Sequence, residues 1–202
     1  MKYIILSGSN RNNSGSRKVS NYVAHSLKQQ SGDITILDMH EENLPMWTED
    51  MWNAESEQSK NWQKYSQQLQ DADGIVVVAA EWAGSIPASL RNFILHMSSK
   101  DVAHKPALIV SVSAGTGGTY PIAELRSFSA KNNHMIYIPD HVIVRKVNDV
   151  LDTLELNEED KDDFWIKGKI NRAIGILKLY THHMKKLREE GQFDLDDYPY
   201  GM

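Results

Sequence analysis

Two apolar runs without alternation constrain the fold of this chain most: Gly74–Ala80 and Pro106–Val112. A strand with one wet face alternates apolar and polar residues, so runs like these belong to strands covered on both faces, as at the centre of a parallel sheet. Covering both faces needs helices between the strands, and the sequence supplies them. A short first strand, Tyr3-Ile4-Ile5-Leu6, is followed by Val19, Val23 and Leu27, the four-residue spacing of an amphipathic helix. The turn Gly32-Asp33 leads to a second strand over 34–37. Residues 56–72 suit a helix, with Trp62, Tyr65 and Leu69 on one side and Asp71-Ala72-Asp73-Gly74 ending it. Pro87 fits the first turn of a helix running through Leu90, Phe93, Ile94 and Met97. A helix over about 121–132 and a fifth strand over 135–138 complete the series. This β-α alternation predicts an α/β chain with a doubly wound, five-stranded parallel sheet of order 2-1-3-4-5. At 202 residues, a single domain over 1–202 is expected. Binding in such sheets occurs beyond the carboxyl ends of the strands, here where the winding reverses between strands one and three.

Three loops leave those ends: 7–16, 80–86 and 113–119. The first carries Ser9, Ser14 and Ser16 as hydroxyl donors and Arg11 as a permanent, forked cation. It opens a helix whose first-turn N–H groups and dipole favour an anion. Neither a P-loop nor a dinucleotide glycine pattern is present, so a terminal phosphate monoester fits better than a pyrophosphate. Taken alone, the loop also reads as a serine cap at Ser14 or Ser16 beside a solvated Arg11. The convergence of three loops on one crevice favours the phosphate.

Composition narrows the function. Lys and Arg number 22 against 27 acids, a formal charge of −5 that argues against nucleic acid or an anionic membrane as the main partner. With no cysteine there are no disulfides, thiol catalysis or iron–sulfur ligands. The first residues lack a signal-peptide core, and the longest apolar stretch, 75–80, is too short to span a bilayer. A soluble cytoplasmic protein is expected. His182 and His183 are adjacent and face different directions on a helix, so no metal site is expected. Ser113 lacks the Gly-x-Ser-x-Gly context of a hydrolase nucleophile. The acidic run 152–163 reads as a solvated face plus a helix cap.

A last helix is expected over about 157–190, capped by Asn157, with Glu158, Glu159 and Asp160 in its first turn. Ile166, Ile170, Ile174 and Leu177 form its buried stripe, and Lys185, Lys186, Arg188 and Gly191 mark its end. At ~1.5 Å per residue it approaches ~50 Å, more than the sheet requires. Either Gly168 or Gly175 bends it, or its end packs on another subunit. The tail 194–200 reads as a strap or disordered, and Trp47 and Trp52 as aromatics packed down in the loop after strand two.

Three motifs resemble those of the NAD(P)H-dependent FMN reductase family of flavodoxin-like proteins. Gly8-Ser9-Asn10-Arg11-Asn12-Asn13-Ser14-Gly15-Ser16 is similar to its G-S-x-R-x-x-S-x-N phosphate loop. Ala80-Glu81-Trp82-Ala83-Gly84-Ser85-Ile86-Pro87-Ala88-Ser89-Leu90-Arg91-Asn92 resembles its P-E-Y-N-G-S-I-P-G-x-L-K-N segment, with Ala80, Trp82 and Ala83 replacing proline, tyrosine and asparagine. Ser113-Ala114-Gly115-Thr116-Gly117-Gly118, followed by Leu125-Arg126, is similar to its glycine-rich loop and the Leu-Arg pair beyond it. The resemblance implies a flavodoxin-like fold and an oxidoreductase passing hydride from NADPH or NADH to FMN and on to a flavin, quinone or similar small acceptor. It implies that Ser9, Arg11, Ser14 and Ser16 hold the phosphate, and that Ala80, Glu81, Trp82, Ala83 and Gly84 flank the ring. Backbone N–H groups of Ser113, Ala114, Gly115, Gly117 and Gly118 would support the pyrimidine edge. No side-chain acid or base is implied, because the flavin carries the chemistry. Trp82 either lines the nicotinamide face or is a packed aromatic, and Glu81 reads as a solvated loop acid. A homodimer or homotetramer is implied. The alternative is a flavodoxin-like protein that binds FMN, or only keeps the fold, without turnover.

Overall fold

Five parallel strands pair in the order β2-β1-β3-β4-β5: β1 (Lys2–Ser7), β2 (Asp33–Asp38), β3 (Gly74–Ala80), β4 (Pro106–Val112) and β5 (Ile136–Val144). This computed structural model describes residues 1–30, 32–42 and 44–191, so the tail 194–200 lies outside the described residues. The doubly wound α/β architecture expected from the apolar runs is the one observed. β4 is buried along its whole length and β3 up to its last residue, whereas edge strand β2 is wet until its final two positions.

One face of the sheet packs on α1 (Gly15–Gln29) and α6 (Lys161–Glu189), through Val19, Val23, Leu27, Ile170, Ile174 and Leu177. The other packs on α2 (Glu57–Asp71), α3 (Ala88–His96), the short α4 (Ser99–Val102) and α5 (Tyr120–Phe128). Its centre is aromatic: Trp62 meets Phe93 edge-on with ring centroids 5.1 Å apart. Among the described residues, no helix is long and apolar enough to cross a membrane.

The departures from expectation have local causes. β5 continues to Val144 through Pro139, which a central strand would exclude; as an edge strand it needs no N–H there on its outer side. Ala107 opposes Tyr137 but Ile109 opposes His141, so β5 bulges where Pro139 sits. Helix α5 stops at Phe128 because the Asn133 side chain donates to Ser129 O and accepts from Met135 N, turning the chain early. Helix α6 begins at Lys161 rather than near 157. Asp160 is its cap, accepting from Asp163 N at 3.2 Å, while Asn157 turns on Glu159 N.

The end of α6 is fastened to its own chain: Lys178 Nζ donates to Gln30 O, Lys185 pairs with Asp73 at 3.0 Å, and Arg188 donates to His104 O. The helix is continuous through Gly168 and Gly175, and a methyl on either would meet nothing within 4 Å. The acidic run is not all solvated, because Asp163 is buried against a fully buried Lys167. Trp47 anchors its loop through Asn92, but Trp52 remains 79% exposed.

A buried lysine sets an alkaline signature. Lys105 Nζ donates to the last carbonyls of α2, Leu69 O and Gln70 O, at 2.5 and 2.7 Å. Burial, aided by Arg188 and opposed by Asp73, Asp101 and Asp71, lowers its ammonium from 10.5 to about 8. Between those values the unfolded chain binds the extra proton and the folded chain does not. Unfolding free energy is therefore expected to rise by about 1 kcal/mol per pH unit from pH 8 to pH 10. Above that, Tyr3, Tyr22 and Tyr65, whose burial raises their phenols, reverse the slope. Urea melts across this window check the rise, which Lys105→Met should abolish.

Candidate functional site

β1, β3 and β4 are adjacent and parallel, so the loops that follow them leave the same rim of the sheet. After β1, Gly8 donates to Val78 O at 2.9 Å. A methyl there would fall 2.7 Å from Leu90 Cδ2 and 2.9 Å from that carbonyl, so this crossing needs glycine. Ser89 Oγ donates to Gly8 O, which ties α3 to the same turn. Ser9 is buried and its Oγ accepts from Arg11 N. Asn13 takes φ 49°, a left-handed value an asparagine tolerates, and swings the chain into α1.

Ser14 is the cap: its Oγ accepts from Arg17 N at 3.1 Å, leaving its own hydroxyl proton available. Ser16 does something else. Its Oγ is buried with no hydrogen-bond partner among the described residues, a costly arrangement unless a ligand completes it. Behind the loop, a methyl on Gly15 would come 2.7 Å from Val147, so α1 starts hard against the segment after β5. Arg11 is exposed and makes no ion pair among the described residues. Arg17 carries the structural role instead, pairing with Asp38 at 2.7 Å and Glu41 at 3.2 Å.

The loop after β3 is a tight reversal. Trp82 and Ser85 exchange both backbone hydrogen bonds around Ala83 and Gly84, which both have positive φ, 50° and 75°. Two-residue turns with both positions left-handed favour Asn-Gly, because a Cβ of the alanine kind strains the first position. The family's asparagine at this position therefore has a backbone reason. Ala83→Asn is expected to stabilise the protein by about 0.5–1 kcal/mol, read from urea melts. A loss of stability would contradict this account of the turn.

Glu124 of α5 backs the reversal, accepting from Ile86 N at 2.7 Å, from Ser85 Oγ and from Arg91. Burial works to raise its carboxyl, and the Ile86 N–H, Arg91 and Ser85 outweigh it, holding it below the usual range. The exposed Tyr120 ring lies about 4 Å from where a methyl on Gly84 would sit, so Trp82 and Tyr120 both border the open side.

The glycine-rich loop after β4 is clamped from two directions. The Glu81 carboxylate accepts from Gly118 N, so Glu81 joins two loops rather than standing in solvent, correcting the sequence reading. A methyl on Gly117 would lie 3.1 Å from Glu81 Oε1. From the far side, Arg145 Nε donates to Thr116 O at 2.7 Å and Gly117 O at 2.9 Å. The peptide joining Gly117 to Gly118 is thus held by a cation at its carbonyl and a carboxylate at its N–H. Lys146 N donates to Gly115 O, and Val147 N to Ser113 O. Ser113 Oγ accepts from Gly115 N, while Ala114 and Gly115 remain exposed.

The candidate site residues of the three loops, within 9–16, 80–84 and 113–118, therefore lie on one rim. Sequence reasoning missed Glu124 and Arg145, and gave Gly8 no role beyond its place in the phosphate-loop motif. Arg145 escaped because β5 was expected to end six residues short of Val144.

The rim offers a cationic side chain, hydroxyls, an unpaired buried Oγ and the first-turn amides of α1, a donor set that fits a phosphate monoester. The glycine-rich loop leaves space for a flat ring close to backbone, since a methyl on Gly115 would meet nothing within 4 Å. The family described as NADPH-dependent FMN reductase matches residues 1–149. The NADPH azoreductase of Bacillus sp. (strain OY1-2) is 24% identical over 190 residues, covering 94% of this chain and 98% of the relative. The FMN-dependent NADPH-azoreductase of Staphylococcus saprophyticus is 28% identical over 127 residues, 62% of this chain and 68% of the relative. Among solved structures, the flavoenzyme NAD(P)H:(acceptor) oxidoreductase FerB from Paracoccus denitrificans superposes with a TM-score of 0.63 at 14% identity, over 92% of this chain and 97% of FerB. This chain belongs to the NADPH-dependent FMN reductase family: it is a flavodoxin-like oxidoreductase that works with FMN and a nicotinamide co-substrate.

Proposed function

We propose that this chain is one FMN-binding domain over 1–202 that delivers reducing equivalents from NADPH or NADH, through FMN, to a small acceptor such as a flavin, quinone or azo compound. The observation that carries this reading is the buried Ser16 Oγ at the start of α1, without a hydrogen-bond partner among the described residues, next to a loop whose exposed Arg11 makes no ion pair among them. When bound, the flavin supplies the two-electron redox chemistry. The chain binds and orients it. Ser9, Arg11, Ser14 and Ser16 hold the phosphate, with Ser14 donating its hydroxyl proton outward while its oxygen caps α1.

Ala80, Glu81, Trp82, Ala83 and Gly84 form one wall of the ring site through the backbone of the tight reversal. Ser113, Ala114, Gly115, Gly117 and Gly118 form the other, at the pyrimidine edge, kept in place by Glu81 and Arg145. Gly118 N–H is engaged by Glu81, Ser113 N–H by Val144 O and Gly115 N–H by Ser113 Oγ, so their support is positional, and the Ala114 and Gly117 amides, without a partner among the described residues, face the ligand. Trp82 and Tyr120 border the face on which a nicotinamide would stack. A cytoplasmic setting suits a cysteine-free, acidic chain.

A homo-oligomer, dimer or tetramer, is supported by the apolar groove of about 480 Å³ lined by Trp47, Met51, Trp52 and Leu95, with Trp52 and Leu95 widely exposed. Light scattering of the purified protein checks it.

The direct test is NADPH oxidation by purified protein with and without FMN, with flavin, quinone and azo acceptors in turn. Turnover that needs FMN supports the reading. FMN binding without turnover would move the function to a non-catalytic carrier. Arg11→Ala is expected to raise the dissociation constant for FMN by more than about tenfold, through loss of a charge-assisted pair to phosphate. A fluorescence titration with unchanged affinity would remove Arg11 from the site.

A further inference from the structure

At the open edge of β5, beside the glycine-rich loop, lies a second feature, which shares only the Nε of Arg145 with the flavin site. A cavity of about 400 Å³ is bordered by His141, Arg145, Trp165 and Lys169, with Asp140 as its one acid. In a chain of net charge −5, counted with histidine neutral, two cations, Arg145 and Lys169, against one acid is a local reversal of sign. Lys169 and His141 make no hydrogen bond or ion pair among the described residues. Arg145 spends its Nε on Thr116 O and Gly117 O, which leaves both terminal amino groups of its fork for a ligand. Trp165 projects from the first turns of α6 and is 64% exposed, an unusual position for an indole.

A forked guanidinium and an ammonium suit a phosphate, and an exposed indole offers a plane on which a purine stacks. A bare anion needs no indole, and an apolar ring needs no paired cations. The combination selects an aromatic base that carries a phosphate. The cavity starts at the loop that Arg145 holds and runs down β5 to His141, four residues or ~13 Å away. An extended dinucleotide covers that distance.

We propose that this cavity takes the adenosine 2′-phosphate end of NADPH, with Arg145 and Lys169 on the 2′-phosphate and Trp165 against the adenine. The assignment rests on the function proposed above, since it names where the far end of that co-substrate lies. It makes the β5 edge the element that selects NADPH over NADH.

Calorimetric titration of the full chain with 2′,5′-ADP, 5′-AMP and inorganic phosphate tests the cavity without FMN or turnover. The 2′,5′-ADP is expected to bind at least about tenfold more tightly than 5′-AMP or phosphate, since only it carries both recognised groups. Lys169→Met should erase the difference between the two nucleotides, and Trp165→Ala should weaken both. In turnover, Lys169→Met should lower the NADPH-to-NADH ratio of kcat/KM by about tenfold. Equal binding of 2′,5′-ADP and 5′-AMP, phosphate binding as tightly as 2′,5′-ADP, or a Lys169→Met variant with unchanged selectivity would each overturn the proposal. Discrimination of 2′,5′-ADP through Lys169 in a protein without FMN-dependent turnover would keep the nucleotide site and reject the proposed function. FMN-dependent turnover without that discrimination would do the reverse.

Discussion

Asp163→Ala is expected to destabilise the protein by about 3–5 kcal/mol, because it strands a buried ammonium. Lys167 is fully buried, and its Nζ lies 2.5 Å from Asp163 Oδ2 and 2.6 Å from Glu155 O. The other carboxylate oxygen accepts from Leu151 N at 2.7 Å, fixing a residue held at φ 62°. Removing the carboxylate leaves a charge in the core and a left-handed backbone without its anchor. Lys167→Met should cost less, because the remaining carboxylate keeps the Leu151 N–H. Urea melts of the two variants decide the point, and a loss below about 1 kcal/mol for Asp163→Ala would contradict it. The effect reaches the site, since the segment this pair secures also carries Val147, on which the start of α1 rests.

Gly118→Ala is the second large effect, and it falls on the candidate site itself. Gly118 has φ 102°, a value L side chains rarely adopt, and a methyl there would lie 2.5 Å from Ile143 Cγ2. Strain and overlap each cost about 1–3 kcal/mol, so the variant should lose about 2–6 kcal/mol. Its dissociation constant for FMN should rise by more than about tenfold as the loop shifts from its Glu81 and Arg145 clamps. Adding Ile143→Val relieves the overlap but not the backbone, and should restore only part of the stability. Gly115→Ala is the control: its φ is not positive and its methyl meets nothing within 4 Å, so it should stay within about 0.5 kcal/mol of the parent. Equal losses at the two glycines, measured by urea melts and FMN titration, would refute the clamp.

What could be read from the sequence was what repeats locally. The apolar runs of β3 and β4 announce a sheet covered on both faces, and the four-residue spacing of Val19, Val23 and Leu27 announces α1. The start of α6 was misplaced because Asn157 and Asp160 are both good caps, and only contacts distinguish them. β5 was cut short because a proline argues against a strand until that strand is known to be an edge. Glu81 and Arg145 reach partners 37 and 28 residues away. No local pattern encodes such contacts, so the clamp on the glycine-rich loop could be seen only once the strands were in register. The reversed charge at the β5 edge was hidden likewise, because Arg145 and Lys169 come to line one cavity only through the packing of α6 on the sheet.

Amide hydrogen exchange of the purified chain with and without FMN tests the central claim most directly. Protection is expected in peptides covering 8–16, 80–86 and 113–119 together, and little change at the opposite end of the sheet around Asp73 and His104. Protection confined to one of the three loops, or appearing at that opposite end, would contradict a flavin site built from all three.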